Sequence, residues 1–582
     1  MPRCKNFWLI LSFILAGSAV VYFTGAQRVP LWDRDEPWYA ECTREMLLSG
    51  DWVVPTFRPQ TAGLPEPSRD ARPSEWRLEK PPVVYWCQLA AMKVAGDTAE
   101  AARFPSSVAV LLTALLIAAV VRRYTGDRRA LWTVFIFCTS GVAIASAKFC
   151  ITDGVLLFLV IVGQASLAMI YWSARRGKSP PWWTVPAFWI SLGLAGITKG
   201  PQPLGEHAFT LVILLFLDVF NEPKGQRNRA AWKKHVRWWR HLQPLIGLPI
   251  LTLVVAPWLI LIHKRAPGFI LALILKARMH LAQSMEGHGK PPGYHALLIF
   301  GTFFPWSLLL PTTIAMAWRN RKSTVIRFAI AATTGPWLMM ELVYTKLPFY
   351  VLPAFPGLAF LTADTLVRCI RGQYRELRRP SFYATIVVWI IATLGLSAAP
   401  WFSLLVAKPN DLPIPGFIAF SVAGTLYAAL VALRFFRHQI ARAAIVMGIG
   451  MSIMLLILYA AILPNLNFLH LPERLAADLK QLGAYGSNIH VLMIGYDEPS
   501  LPFYQGGGAR RPPEQEAYFE TTPPDKWAKW FVVADDADNW QRIPAELRDR
   551  LTIRATESGL NYSHEGKIQK VLILENPSAS TH

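Results

Sequence analysis

The sequence predicts a polytopic α-helical membrane protein of about thirteen spans, followed by a small soluble α/β domain. Three observations carry this prediction. The chain is 53% hydrophobic and only 17% charged, against roughly 25% charged in an average soluble domain. Its apolar residues come in blocks of about 20, the length of helix that crosses a ~30 Å hydrocarbon core. Its charge also changes sign along the chain. From Pro464 to His582 there are 12 Lys and Arg against 16 Asp and Glu, so the part before Pro464 carries more than the whole net charge of +21.

The apolar blocks fall at 7–25, 104–122, 129–148, 152–172, 182–197, 203–220, 242–262, 294–317, 324–343, 349–369, 382–406, 414–433 and 441–463. Backbone groups in lipid must be satisfied within their own segment, so blocks this long are helices. The pair 182–197 and 203–220 is short and separated only by "TKGPQP". Basic residues concentrate in alternate connections: "RRYTGDRR", "ARRGK", "KGQRNRAAWKKHVRWWRH", "WRNRK", "RCIRGQYRELRR" and "RFFRHQIAR". This is the positive-inside pattern. It predicts a cytoplasmic N-terminus, outer loops at 26–103 and 263–293, and an extracytoplasmic C-terminal domain. Arg3, Lys5, the following apolar run and "AGSA" also fit a signal peptide, but an uncleaved first span keeps the alternation intact. The basic excess serves topology, so no nucleic-acid partner is expected. The six Cys are scattered without paired metal spacing,.

Within the first outer loop, "PWYAECTREMLLSG" reads as a helix, with Pro37 suited to its first position and Gly50 to its exit. "RPQTAGLPEPSRDARPSEW" is a Pro-rich irregular excursion. "EKPPVVYWCQLAAMKVAG" then returns to an apolar helix, with Tyr and Trp suited to the interface. The chain divides into a membrane part at 1–463 and an outer domain at 464–582. In the latter, "LPERLAADLKQLG" has helical spacing. "NIHVLMIGY", "WFVVADD" and "KVLILEN" read as short buried strands. No internal repeat is evident.

The outer ends of distant segments collect charge. Asp35 and Glu36 follow the first span. "LEKPP" brings Glu79 and Lys80, "KFCITDG" brings Lys148 and Asp153, and "GITKGP" brings Lys199. "KARMHLAQSMEGHGKPPGYH" brings Lys276, Arg278, His280, Glu286, His288 and Lys290. "YTKLPFY" brings Lys346 and Tyr350. Charges near membrane ends are costly unless paired, hydrated or used. Cations and carboxylates at one depth suit an anionic lipid headgroup held by Lys and Arg, beside a carboxylate that does chemistry. Each piece also has a plainer role. Asp35 and Glu36 could cap the helix that follows, although Glu is not a favoured cap. Lys80, Lys199 and Lys346 could snorkel to headgroups. Asp153 could pair with Lys148, His280 could simply pack, and Glu206 and His207 could pair locally.

In order along the chain, "DRDEPWYAECTREMLLSGDWVVP", "EKPPVVYW", "ARFPSSVAVLL", "ITDG", "TKGP", "GHGKPPGYHALLIFGTFFPWSLLLP" and "TKLPFYVLPAFPGLAFL" resemble the polyprenyl-phosphate-dependent GT-C glycosyltransferases. Within these the chain is similar to the bacterial aminoarabinose transferases of lipid A and to protein O-mannosyltransferase-like proteins. The likeness runs from about residue 26 to 365 and extends loosely to the end. It implies a GT-C fold and a monomeric enzyme of the bacterial inner membrane. Such an enzyme moves a hexose or pentose, with inversion, from a polyprenyl-phosphate donor to a glycolipid or protein acceptor at the outer face. By that resemblance Asp35 and Asp153 are catalytic residues, Asp35 being a general base or an acceptor-orienting group. Lys80 and Arg278 hold the lipid phosphate, and Glu36, Lys199, Lys346, Tyr350 and His288 bind substrate. Glu79 matches a metal position. No cofactor is required by this reading; a divalent metal, Zn or Mg/Mn, is the one candidate. The chain departs from the pattern in its long Pro-rich excursion. It lacks a His just upstream of Arg278, and it carries Tyr294–His295 in place of two Tyr.

The chemistry is coherent on its own terms. A hydroxyl acceptor needs a carboxylate to take its proton, whereas a phosphate acceptor needs only positioning. Lys and Arg stabilise the charge developing on the leaving lipid phosphate. No P-loop or dinucleotide fingerprint contradicts this. The competing reading is a transporter or flippase of polyprenyl-linked sugars, which would place its site near the midplane between repeats. A third makes the outer domain the working part, but thirteen spans exceed what an anchor requires.

Overall fold

The computed structural model describes residues 5–33, 35–57, 76–77, 80–282, 289–373, 377, 379–511, 518–520, 522–562 and 566–579. The helices before the sheet are α1 (Phe7–Phe23), α2 (Glu36–Ser49), α3 (Val83–Ala95), α4 (Ala99–Thr125), α5 (Asp127–Cys138), α6 (Gly141–Lys148) and α7 (Thr152–Arg175). There follow α8 (Thr184–Lys199), α9 (Gln202–Phe220), α10 (Arg229–Val236), α11 (Pro244–Arg265), α12 (Phe269–Ala282), α13 (Tyr294–Thr302) and α14 (Leu310–Arg319). The last are α15 (Thr324–Leu342), α16 (Phe355–Ile370), α17 (Pro380–Ala398), α18 (Ile414–Phe436), α19 (Ile440–Ile457) and α20 (Leu471–Gln481).

Among the described residues, eight helices are long and apolar enough to cross a membrane, and up to ten segments if each of two bent pairs counts as one. Each apolar block of the sequence coincides with helix. The difference from thirteen lies in helices that are shorter or less apolar than a full crossing asks, such as α1 with 17 residues. In the bent pairs, α5 and α6 meet at 61°, and the chain turns by 117° between α13 and the segment Trp306–Arg319. The bundle is layered. α7 has 83% of its most apolar stretch buried in protein, whereas for α11 the figure is 17%, leaving most of that helix to face lipid.

Ion pairs pin the ends of the helices. Asp218 on α9 is held by Arg175 and Arg327, and accepts a 2.7 Å bond from the Tyr171 hydroxyl. Asp364 on α16 joins Arg129 and Arg368, both at 2.6 Å. Some of the basic residues read above as topology signals therefore also neutralise buried carboxylates.

Beyond α20 lie β1 (Val491–Ile494), α21 (Ser500–Gln505), β2 (Ala509–Arg510), β3 (Trp530–Ala534), β4 (Thr552–Asn561) and β5 (Lys567–Glu575). The strands form one sheet in the order β2-β1-β3-β5-β4. β1 runs parallel to β2 and β3, and β5 is antiparallel to β3 and β4. β1 and β3 are buried throughout, as continuous apolar runs covered on both faces should be. The sheet domain packs back onto the membrane part. Arg44 of α2 lies so close under the turn between α21 and β2 that a Cβ on Gly507 would stand 2.2 Å from its Nη2, and Gly507 has φ +95°.

Candidate functional site

The site is built around the start of α2. Glu36 is completely buried. The Arg103 guanidinium donates to its Oε2 at 2.5 Å and its Oε1 at 2.8 Å. Oε1 also accepts from the Cys150 backbone N–H at 2.8 Å, and Oε2 from that of Trp32 at 3.1 Å. The rest of the Arg103 fork donates to the carbonyls of Ala26, Val29 and Pro30 at 2.7–2.8 Å. One ion pair thus joins α4, the segment after α1, the start of α2 and the connection before α7. Glu36, expected to bind substrate, thus has both carboxylate oxygens hydrogen-bonded within the protein.

Asp35 is different. It occupies the N-cap position of α2, yet its side chain makes no capping hydrogen bond, and it is exposed. The capping explanation fails for both residues: Asp35 caps nothing, and Glu36 lies inside the helix. α2 ends as expected, on Gly50 at φ 66° in the left-handed region, which glycine enters without a Cβ penalty.

A second group lies at the start of α7 and the end of α8. Asp153, in the first turn of α7, accepts a 2.7 Å charged bond from Lys199, the last residue of α8. The Lys199 ammonium also stands 4.4 Å from the centre of the Tyr350 ring, a cation–π contact. Three of the residues expected at the site are therefore in direct contact. Lys148 is not the partner of Asp153. It donates to the Thr24 carbonyl at 2.7 Å and sits 3.7 Å from the centre of the Tyr459 ring.

Tyr39 connects the two groups. It is buried one helical turn beyond Asp35, and its ring lies 5.9 Å from that of Tyr85. Burial pushes its hydroxyl well above 10, and Tyr85, Asp153 and Asp35 push it further, with Arg77 opposing. Asp35 and Asp153 are thus both within electrostatic reach of one phenol. Tyr39 and Arg77, which lies 4.1 Å from the centre of the Trp38 ring, were missed in the sequence. The i, i+4 spacing of Asp35 and Tyr39 was the available signal.

The remaining expected residues are dispersed. Lys80 is half-buried just before α3. Lys346 is buried and donates to the carbonyls of Val343 at 2.5 Å and Lys290 at 3.0 Å. Gly289 and Thr345 form an antiparallel bridge beside it. Lys346 was expected to bind substrate; in the structure its ammonium ties residue 290 to the end of α15. Arg278 is exposed on α12. Glu79 and His288 lie outside the described residues, and with them the expected metal position. Among the described residues, no group of three or more His, Cys, Asp or Glu could hold a metal ion.

Residues 32–273 match the family described as dolichyl-phosphate-mannose-protein mannosyltransferase. The chain is 28% identical over 462 residues to the undecaprenyl phosphate-alpha-4-amino-4-deoxy-L-arabinose arabinosyl transferase of Edwardsiella ictaluri, covering 76% of this chain and 75% of that one. It is 26% identical over 423 residues to the transferase of the same name from Pseudomonas aeruginosa strain UCBPP-PA14, covering 72% and 70%. The crystal structure of ArnT from Cupriavidus metallidurans bound to undecaprenyl phosphate superposes with a TM-score of 0.72 at 19% identity, over 100% of both chains. The two share a fold, from the membrane helices to the C-terminal sheet.

Proposed function

We infer that this chain is a polyprenyl-phosphate-dependent GT-C glycosyltransferase of the aminoarabinose-transferase and protein-mannosyltransferase type, an integral membrane enzyme that takes its sugar from a lipid-phosphate carrier. In this reading all thirteen apolar segments enter the membrane, the N-terminus is cytoplasmic, and the face that carries the sheet is the outer one. The observation that carries the site assignment is the contrast between two adjacent carboxylates. Glu36 is buried and held by Arg103, while Asp35 is exposed at the mouth of α2, one helical turn before the buried Tyr39.

Asp35 takes the acceptor proton, or orients an acceptor that has none to give. Asp153 holds Lys199 over Tyr350, fixing a cation near the reacting centre. Lys80 and Arg278 neutralise the leaving lipid phosphate. Charge developing on that phosphate is stabilised by donors already in place, which lowers the barrier without reorganisation. Attack opposite the departing phosphate inverts the anomeric carbon. The acceptor is a glycolipid of the lipid A kind or a protein hydroxyl. The residue read for metal binding is Glu79, and no step above depends on a metal.

The test is incubation of the purified, lipid-reconstituted protein with defined polyprenyl-phosphate sugars and either lipid A or hydroxyl-bearing peptides. Release of polyprenyl phosphate with a glycosylated product supports the reading. Movement of the donor across a vesicle membrane without product would identify a flippase instead.

A further inference from the structure

We propose that the C-terminal domain is a working part of this site, and that Tyr504 and Tyr562 are positioning residues that hold the segment carrying Asp35. The proposal rests on the assignment of Asp35 above and gives the sheet domain a task within the same reaction.

Residues 31–33 lie just before Asp35, and three hydrogen bonds and one ring contact from the domain grip them. The backbone N–H of Leu31 donates to the Tyr504 hydroxyl at 2.8 Å. That of Asp33 donates to the Tyr562 hydroxyl at 2.7 Å. The Asp33 carboxylate accepts from the Ser500 backbone N–H at 3.1 Å, at the first residue of α21. The Trp32 ring stands edge-on to Tyr562, with centroids 5.7 Å apart. Each contact joins positions more than 460 residues apart in sequence, so no local preference explains them.

From the other side, the Trp32 N–H donates to Glu36, and the Trp32 carbonyl accepts from the N–H of Asp35 at 3.4 Å and of Glu36 at 3.2 Å. Asp35 is therefore suspended between two clamps. Arg103 acts through Glu36 from the membrane part, and the two tyrosines act through 31–33 from the sheet domain. The side chain of Asp35 is exposed, and the backbone that these clamps hold sets where its Cα stands. A carboxylate that must meet a nucleophile at about 3 Å loses much of its effect when misplaced by 1 Å.

The closeness of Arg44 to the turn at Gly507 supports a fixed seating rather than a loose cover. Arg44 is itself fastened to Glu41 by bonds of 2.9 and 2.5 Å, so the domain rests on a rigid part of α2.

The test compares Tyr562→Phe and Tyr504→Phe with Tyr518→Phe in the full-length, reconstituted protein. Tyr518 makes the same kind of bond, accepting from the Ala528 N–H at 3.1 Å, within the same domain but away from residues 31–36. Two readouts are taken. In hydrogen exchange, Tyr562→Phe and Tyr504→Phe expose the amides of residues 31–36, and Tyr518→Phe leaves them protected. In transfer assays, the two clamp variants lower kcat roughly ten- to hundredfold with donor KM within about twofold of the wild type, and Tyr518→Phe keeps the wild-type kcat. Unchanged exchange at 31–36 overturns the clamp whatever the activity. Increased exchange with unchanged kcat overturns the positioning role, as does an equal kcat loss in Tyr518→Phe. A wild-type protein inactive with every donor overturns the assignment of Asp35, while exchange still reports whether the clamp exists.

Discussion

Arg103 holds both carboxylate oxygens of Glu36, at 2.8 and 2.5 Å, in a site where neither side chain is more than 4% exposed. Such a pair is little evidence of net stabilisation, because desolvating two charges offsets much of their attraction. Its remaining bonds to Cys150, Trp32 and three carbonyls make it a joint between four segments. Removing one partner leaves an uncompensated buried charge, at a cost of about 3–5 kcal/mol. Arg103→Met and Glu36→Gln are expected to lower the thermal unfolding midpoint and the yield of folded protein together. Glu36→Gln with normal stability and an isolated loss of donor affinity would return Glu36 to the substrate-binding set.

Asp153 and Lys199 should behave as a unit. Their side chains are 11% and 8% exposed, so either one alone is a stranded charge. Asp153→Asn and Lys199→Met are each expected to lower transfer by about 10²- to 10³-fold, the range for losing one preorganised electrostatic group. The double variant should be no worse than the poorer single one, because coupled residues are not additive. Additive losses in that double-mutant cycle would mean that the two act separately.

The fold was largely legible, for a physical reason: lipid accepts only long apolar helices, and the chain must write them out in full. Every apolar block coincides with helix. Hydropathy does not record direction, so 294–317 read as one straight span although the chain bends there by 117°. The strands β1, β3 and β5 were readable as apolar runs. β4 was not, because its first residues, "TIR", are exposed, and an edge strand open to solvent carries no apolar signature. At the site, the roles of adjacent Asp35 and Glu36 could not be separated. What separates them is Arg103, 67 positions away from Glu36, and no local pattern names that partner. The carbonyl partners of Lys346 were hidden for a similar reason. An ammonium at a span end looks the same in sequence whether it meets a phosphate or two carbonyls.

His470 introduces a pH dependence at the junction of the membrane part and the sheet domain. Its Nδ1 bonds to Glu473, and its Nε2 lies 3.2 Å from the Leu463 carbonyl. Two such acceptors are satisfied together only by the protonated ring. Burial alone would lower the imidazole's pKa, but the bond and charge of Glu473 outweigh it, and the value is raised above 6.5. A raised value means that the stabilisation is fully present below the unfolded pKa and is lost as pH climbs through the folded one. The wild type is therefore expected to exceed His470→Gln in unfolding midpoint at about pH 5.5, with the gap narrowing as pH rises through neutrality and above. Unfolding midpoints of the two proteins measured across that range check it, and a constant gap would contradict it.

The central claim is that Asp35, not its neighbour, is the working carboxylate. It is tested most directly by the single-turnover rate of Asp35→Asn with a polyprenyl-phosphate sugar and a hydroxyl acceptor, alongside its unfolding midpoint. Loss of a general base predicts a fall of about 10²- to 10⁴-fold with the unfolding midpoint and donor affinity unchanged. An Asp35→Asn protein that transfers sugar at the wild-type rate would contradict the account.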